Sequence, residues 1–208
     1  MTTGLLTIEQ MEQKYNSQVS RLLAYGFRGK FQTLTNMNDD ELALFFEMLF
    51  EHDPNELFSR RMVALLDGNV VGTMSIQWKG DSNIKQRRTP FSWSSFKRFG
   101  TWNFLKMMIG LQFLEHNPHK GECYIADIVV HPDFRGLGVG TLLLQWAIDY
   151  VKAQPSLDVL SLYVSDNNKR ASRLYEQLSF HTKYQVNSLT QYILFREPKW
   201  NYMVMKIK

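Results

Sequence analysis

The chain has 208 residues, of which 44% are hydrophobic and 21% charged; this composition excludes a disordered protein and indicates one domain over residues 1–208. The single cysteine, Cys123, excludes an intrachain disulfide or a zinc site built from several cysteines, and we expect no bound metal. The net charge of +4 is local, because residues 79–106 contain seven basic residues and one acid, which leaves the remainder at −2. Such a stretch suits an anionic ligand, nucleic acid or a lipid surface, and it equally suits a solvated face.

Residues 5–78 predict a strand, two helices and a hairpin. A strand is expected over Leu5–Met11 and a helix over Asn16–Gly29, where apolar residues recur at helical spacing. A second helix begins after Asn38, whose side chain can cap it, and acidic residues follow in its first turn. Two β-rich runs, Met62–Leu66 and Val70–Trp78, flank a glycine-containing turn and predict a β-hairpin.

Residues 80–120 form an insertion between the third and fourth predicted strands. Pro90 can begin a helical region, and an apolar stripe extends from Phe104 to Leu114. The longest charge-free run, Met107–Leu114, is too short to cross a bilayer. We expect a helical hairpin or lid that covers a site; a homodimer contact and plain core packing stay open. No secretory leader precedes the first elements, so we expect a cytoplasmic protein without a transmembrane segment.

The last part of the chain is regular. Its predicted elements are a strand at Glu122–Val130, a helix at Gly138–Ala153, a strand at Val159–Val164, a helix at Asn168–Leu178, and strands at Thr182–Leu194 and Trp200–Ile207. Alternating strands and helices with short connections indicate the α/β class, with a mixed central β-sheet flanked by helices.

The segment Arg135–Gly140, Arg-Gly-Leu-Gly-Val-Gly, lies between a strand and a helix and is typical of an anion site. Glycines let consecutive backbone N–H groups converge on an anion, and a helix N-terminus adds unpaired donors and partial positive charge. A P-loop requires a lysine before Thr141, where Gly140 stands, and a dinucleotide fingerprint requires a third glycine where Thr141 stands. Both alternatives therefore fit poorly.

Two motifs together resemble the GNAT superfamily of N-acetyltransferases. Arg135-x-x-Gly138-x-Gly140 is similar to the acetyl-CoA motif Q/R-x-x-G-x-G/A, and the run from Asn168 to Phe180 is similar to the second signature N-x-x-A-x-x-L-Y-E-x-x-G-F. The resemblance covers about residues 122–180, which we take as the cofactor-binding core, and implies a GNAT-like domain with acetyl-CoA as co-substrate. It implies that pantetheine lies between two splayed parallel strands, and that the Val130 N–H polarises the thioester carbonyl. The implied cofactor-binding residues are Ile128, Val129, Val130, Arg135, Gly136, Leu137, Gly138, Val139, Gly140, Thr141, Asn168, Ala171 and Tyr175.

The same resemblance implies catalytic roles. Tyr175 is the candidate general acid that protonates the leaving thiolate, and Asp127 is the candidate base, acting directly or through water. A carboxylate on a mostly apolar strand costs desolvation energy unless it is paired, so Asp127 can equally be a structural ion-pair partner. Glu122 and His131 are weaker candidates for the base.

One position departs from the family pattern. Ser179 stands where the family usually has glycine after the helix. A left-handed backbone there would cost a non-glycine residue about 1 kcal/mol.

The motifs do not specify the acceptor. The insertion is basic and aromatic, which disfavours a polycationic acceptor because like charges repel. We expect a primary amine of a small molecule with an apolar or anionic part, or of a peptide. Two alternatives stay open: a non-catalytic acyl-CoA-binding regulatory module that contacts a protein or RNA partner, and a membrane-surface acyltransferase. The presence of both Asp127 and Tyr175 argues against the regulatory module, and nucleic-acid binding is not expected.

Overall fold

A computed structural model describes residues 4–52, 58–80 and 98–208. Its strands are β1 (Leu6–Gln10), β2 (Ser59–Leu66), β3 (Asn69–Trp78), β4 (Glu122–Val130), β5 (Val159–Ser165), β6 (His181–Asn187) and β7 (Lys199–Lys206). Its α-helices are α1 (Asn16–Phe31), α2 (Asp39–His52), α3 (Thr101–Leu114), α4 (Val139–Ala153), α5 (Lys169–Gln177) and α6 (Leu189–Phe195). The predicted α/β class is confirmed.

The strands form one mixed sheet in the order β1-β2-β3-β4-β5-β7-β6. β4 and β5 are parallel, and the other neighbouring pairs are antiparallel. The parallel pairing joins Glu122–Ile125 to Val159–Leu162, and the two strands diverge beyond it. A bulge at Ala126, which is skipped in the pairing with β3, marks the start of the divergence. The two predicted parallel strands are therefore splayed, as the family resemblance implies.

Local chemistry explains several element boundaries. The Glu41 N–H donates to Asn38 Oδ1 at 2.9 Å and the Asn38 N–H donates to Glu41 Oε2 at 2.9 Å, a capping box that starts α2. The hairpin between β2 and β3 turns at Asp67 and Gly68, with φ of 51° and 78°. Positive φ at both central residues is what a tight two-residue hairpin turn needs. The predicted N-terminal helices and hairpin are confirmed.

Apolar side chains cover both faces of the sheet. One buried cluster joins the strands to α4 and α5 and contains Leu143, Leu144 and Ala147. The other joins them to α1, α2 and α3 and contains Phe31 and Phe45. Neighbouring strand residues enter opposite clusters, as the two-residue repeat of a strand requires. The sheet thus separates an α4–α5 side from an α1–α3 side.

Helix α3 is the described helical part of the insertion. Phe104 and Met107 are buried in the α1–α3 cluster, whereas Trp102 and Ile109 are exposed. Residues 98–99 are also helical. The helical hairpin or lid stays a prediction, because residues 81–97 lie outside the described ranges. The predicted helix start at Pro90 lies outside the described residues, and the homodimer contact stays a prediction.

No helix within the described ranges is both long and apolar enough to cross a membrane.

Residues 189–195 are helical, so the strand predicted over Thr182–Leu194 is wrong beyond Asn187. Ser188 explains the change, because its Oγ accepts the Gln191 N–H at 3.1 Å and caps the start of α6. Serine is among the best residues at such a position. A short apolar run reads equally well as strand or helix, and the cap decides it here.

Candidate functional site

The loop between β4 and α4 keeps a set of backbone donors free. Gly136 and Gly138 have φ of 86° and 82°, left-handed values that favour glycine. Gly138 is the N-cap of α4, and none of the described side chains caps that end. The first helical bond runs from the Leu142 N–H to the Gly138 carbonyl at 2.9 Å, so the N–H groups of residues 139–141 have no acceptor within the helix. Together with the helix dipole, these groups suit a bound anion.

Two exposed arginines flank this loop. Nε of Arg135 donates to the Val130 carbonyl at 3.2 Å, and its guanidinium lies 5.6 Å from the ring centroid of Tyr25. Nη2 of Arg170 lies 3.8 Å from the position that a β-carbon on Gly136 would occupy. The sequence motif indicated Arg135 but not Arg170, because the motif leaves that position unspecified.

The divergence of β4 and β5 leaves backbone groups of β4 facing a gap. The His131 N–H donates to the Val71 carbonyl at 2.9 Å, and antiparallel pairing repeats this orientation at every second residue. The N–H groups of Ile128 and Val130 therefore face away from β3, toward the position that β5 has left. The gap provides donors for an extended ligand lying along β4.

Helix α5 carries the second motif. Asn168 Oδ1 accepts the Ala171 N–H at 3.2 Å, so Asn168 caps the helix. Tyr175 is buried on the α4–α5 side, with its ring centroid 5.9 Å from that of Phe180. Burial raises the pKa of Tyr175 to about 12, so the phenol is protonated at neutral pH.

Ser179 adopts the left-handed backbone anticipated for this position, with φ of 71°. Because glycine has no Cβ to strain there, Ser179→Gly is expected to raise the free energy of unfolding by about 1 kcal/mol. Urea denaturation measures the change. The matched control is Ser172→Gly within α5, which is expected to destabilise the protein by about 0.5 kcal/mol. A loss of stability in Ser179→Gly would contradict the strain argument.

A cavity of about 540 Å³ lies on the α1–α3 side of the sheet. Much of its wall is apolar and comes from the three helices: Leu23, Phe46, Leu49, Phe50, Met108 and Leu111. Its polar side chains include Lys30, Arg61, Gln77, His116, Asp127 and Gln191. The cavity reaches β4 at Tyr124, Ala126 and Asp127, which is where β4 and β5 separate. Tyr175 is not among its lining residues.

Asp127 lies in this cavity in a two-bond ion pair with Arg61. Nη1 donates to Oδ1 at 2.7 Å and Nη2 to Oδ2 at 2.6 Å, and the side chains are 11% and 14% exposed for Asp127 and Arg61. The two residues are aligned across β3, because Ser75 pairs with both. Asp127 therefore fits the structural ion-pair role that its position on an apolar strand left open.

Glu122 anchors a buried polar cluster at the start of β4. Its Oε1 accepts the Tyr202 hydroxyl at 2.7 Å and the Ser161 hydroxyl, and lies 3.0 Å from Nε2 of His116. Its Oε2 accepts the His119 N–H at 2.7 Å. Burial alone would raise the pKa of Glu122, but the hydrogen bonds outweigh it and lower the pKa to about 2. Glu122 is therefore a fixed carboxylate rather than a base.

His116 connects this carboxylate to the cavity. Because ionised Glu122 can only accept, Nε2 of His116 carries the hydrogen between them, and a neutral ring leaves Nδ1 as an acceptor. None of the residues in the described ranges hydrogen-bonds to Nδ1. The ring centroid lies 4.4 Å from that of Tyr124, and Gln77 Nε2 donates to the His116 carbonyl at 2.9 Å. The imidazole is thus held in one orientation at the cavity wall, an arrangement suited to accepting a proton.

His131 lies outside this cluster. It follows β4, and its Nδ1 accepts the Asp133 N–H at 3.4 Å, so it serves the turn before the glycine loop. Cys123 is buried, and burial raises the pKa of its thiol to about 12, which disfavours the reactive thiolate form at neutral pH.

Comparison with known proteins agrees with this geometry. Residues 30–180 match the model of the acetyltransferase (GNAT) family. An uncharacterised N-acetyltransferase of Methanocaldococcus jannaschii is 42% identical over 59 residues, which is 28% of this chain and 26% of that protein. A mycothiol acetyltransferase of Thermomonospora curvata is 34% identical over 85 residues, 40% of this chain and 27% of that protein. The matched segments thus span about a quarter of these relatives.

Solved structures share the fold over nearly the whole chain. A GNAT-family acetyltransferase from Streptococcus pneumoniae superposes with a TM-score of 0.57 at 17% identity, covering 98% of this chain and 100% of that one. At this identity the likeness concerns the fold and carries no information about the acceptor.

Proposed function

Since the chain belongs to the GNAT acetyltransferase family, we propose that it transfers an acetyl group from acetyl-CoA to a primary amine bound in the cavity on the α1–α3 side. One observation carries the proposal. The cavity reaches β4 at Ala126 and Asp127, and the backbone N–H of the next residue, Ile128, faces the gap between β4 and β5. An acyl group in the gap and an amine in the cavity would meet there.

The donor is proposed to bind along the gap and the glycine loop. The free N–H groups of residues 139–141, with Arg135 and Arg170 beside them, would hold the pyrophosphate of CoA. The backbone of Ile128 and Val130 would bond to pantetheine as a substitute strand. The Val130 N–H would then stabilise negative charge that develops on the thioester oxygen.

In the proposed reaction the amine nitrogen attacks the acetyl carbon, so that a C–N bond forms and the C–S bond breaks. Tyr175 gives its phenolic proton to the departing thiolate, in keeping with a phenol that burial holds in the protonated form. The second proton, which the nitrogen loses as the amide forms, restores the phenol. The ammonium of the acceptor must first lose a proton. We assign that proton to Nδ1 of His116, and Asp127 acts on the ammonium by charge, directly or through a water.

The donor assignment predicts a loss of acetyl-CoA affinity when charge beside the loop is reversed. Arg135→Glu and Arg170→Glu are each expected to weaken acetyl-CoA binding about tenfold or more, the size expected for one charge-assisted contact. Calorimetry with acetyl-CoA measures it. Lys183→Glu is the matched control, because it makes the same charge change on exposed β6. Unchanged affinity in both arginine variants would remove the loop as the pyrophosphate site.

The transfer itself is tested by following release of the CoA thiol with a panel of primary amines. We expect release to depend on an amine. The regulatory-module alternative predicts tight acetyl-CoA binding without amine-dependent release, and that result would overturn the proposed activity.

A further inference from the structure

Lys30 is a cation in the cavity wall, and two aromatic side chains lie beside it. Its Nζ lies 5.0 Å from the ring centroid of Phe27 and 4.8 Å from that of Trp200. Among the residues with described positions, no carboxylate lies within 4.0 Å of this nitrogen. The side chain therefore lines the cavity with a positive charge that has no direct ionic partner there.

The two nearby carboxylates both accept hydrogen bonds from other residues, although only Oε2 of Glu197 is engaged within the described ranges. The two oxygens of Asp127 bind Arg61. The carboxylate of Glu197 accepts hydrogen bonds from Ser165 and from Asn167 at 2.8 Å. Burial lowers the pKa of Lys30 to about 8, against a weaker opposing attraction from Asp127 and Glu197. A desolvated ammonium of this kind gains most from an anion that approaches it directly.

Gln191 adds a second unmatched group to the same cavity. It comes from α6, and its Oε1 is buried without a hydrogen-bond partner in the described structure. A buried polar atom without a partner costs free energy that a ligand donor can recover. A complementary ligand would therefore place an anion against Lys30 and an N–H or O–H donor against Gln191 Oε1.

We propose that Lys30 provides an anion subsite, and that the acetyl acceptor is a primary amine whose apolar body carries a carboxylate; a separate N–H or O–H group of the acceptor would donate to Gln191 Oε1. Only the statement that the bound molecule carries a primary amine rests on the proposed function; the anion subsite does not. A single ammonium between aromatic rings matches one negative charge next to apolar atoms, whereas a phosphate dianion would call for more donors. The amine would lie at the β4 end, near Asp127, and the carboxylate near Lys30.

The subsite can be tested without any acetyl transfer. The probes are 3-phenylpropanoate and its uncharged methyl ester, which has no N–H or O–H donor, with phenyl phosphate as a third arm, and binding is followed by ligand-observed NMR. We expect wild type to bind the acid about tenfold more tightly than the ester. Lys30→Met should lose this preference, since it keeps the apolar stem without the charge. Lys30→Arg should keep it, and the exposed control Lys183→Met should leave it unchanged.

A second measurement links the subsite to catalysis. The ratio of kcat/KM for 4-(aminomethyl)benzoate over benzylamine should favour the acid in wild type and approach one in Lys30→Met. Equal binding of acid and ester by wild type, or a preference that survives in Lys30→Met, would overturn the subsite. Tighter binding of phenyl phosphate would overturn the carboxylate class. Lys30-dependent binding of the acid without acetylation of any amine would instead count against the proposed function and leave the subsite standing.

Discussion

Tyr175→Phe is expected to lower kcat by about 10²- to 10⁴-fold and to leave acetyl-CoA affinity nearly unchanged, which is the range for loss of a general acid. The substitution removes one hydroxyl from a buried ring and keeps its packing against Phe180. The thiolate would then have to leave without its proton donor. Because the loss arises in the transition state, kcat and kcat/KM should fall together. Stopped-flow detection of the CoA thiol measures both.

The control for this variant is Tyr150→Phe on α4, a half-buried tyrosine that packs against Trp146. It should retain activity. The pH dependence gives a second check, because a phenol with a pKa of about 12 is protonated at every lower pH. Wild-type activity should therefore show no decline attributable to Tyr175 up to about pH 10. Undiminished turnover of Tyr175→Phe across this range would exclude Tyr175 as the acid.

Much of the fold follows from local sequence patterns. The bounds of β4 are those predicted, and the capping residues Asn38 and Asn168 stand where their helices begin. The error at α6 has a local cause as well, because the run after Ser188 suits either a strand or a helix until the serine cap is considered. Hydrophobic periodicity identifies a long helix or strand well, but a short apolar run can be assigned to either.

The donor side of the candidate site was predictable because its chemistry is local. Gly136 and Gly138 have left-handed φ angles that few other residues adopt, so the glycines in the sequence indicate this backbone conformation directly. Arg170 was missed, since its proximity to the loop depends on how α5 packs beside α4.

The acceptor side depends on strand register, which the sequence does not report. Arg61 meets Asp127 because both flank Ser75 in the sheet, although 66 residues separate them. The bulge at Ala126 further changes which β4 residues share a face. One signal was present: Glu122 on an apolar strand requires partners, and the preceding loop contains the basic residues His116, His119 and Lys120.

His116→Gln is expected to lower kcat/KM by about 10²- to 10⁴-fold, the range for loss of a general base. Glutamine can still donate to Glu122, so the buried cluster is kept while the proton acceptor is removed. Wild-type activity should fall at acidic pH, where protonation of the base disables it. This fall in the pH–activity profile, its acidic limb, should be absent from the residual activity of His116→Gln. A role in packing alone would lower the rate and leave the limb in place.

The competing base, Asp127, needs a paired substitution, because Asp127→Asn alone leaves Arg61 buried without its partner and costs about 3–5 kcal/mol of stability. Combining Asp127→Asn with Arg61→Gln removes both charges. This double variant is expected to raise KM for the amine, since the carboxylate that attracts the ammonium is lost, and to keep the acidic limb, since His116 remains. If the double variant instead loses the limb while His116→Gln keeps it, Asp127 is the base and His116 only shapes the cavity. The two pH profiles therefore show whether His116 or Asp127 accepts the proton of the ammonium. Glu122 is not a third candidate, because its ionised carboxylate already accepts four hydrogen bonds.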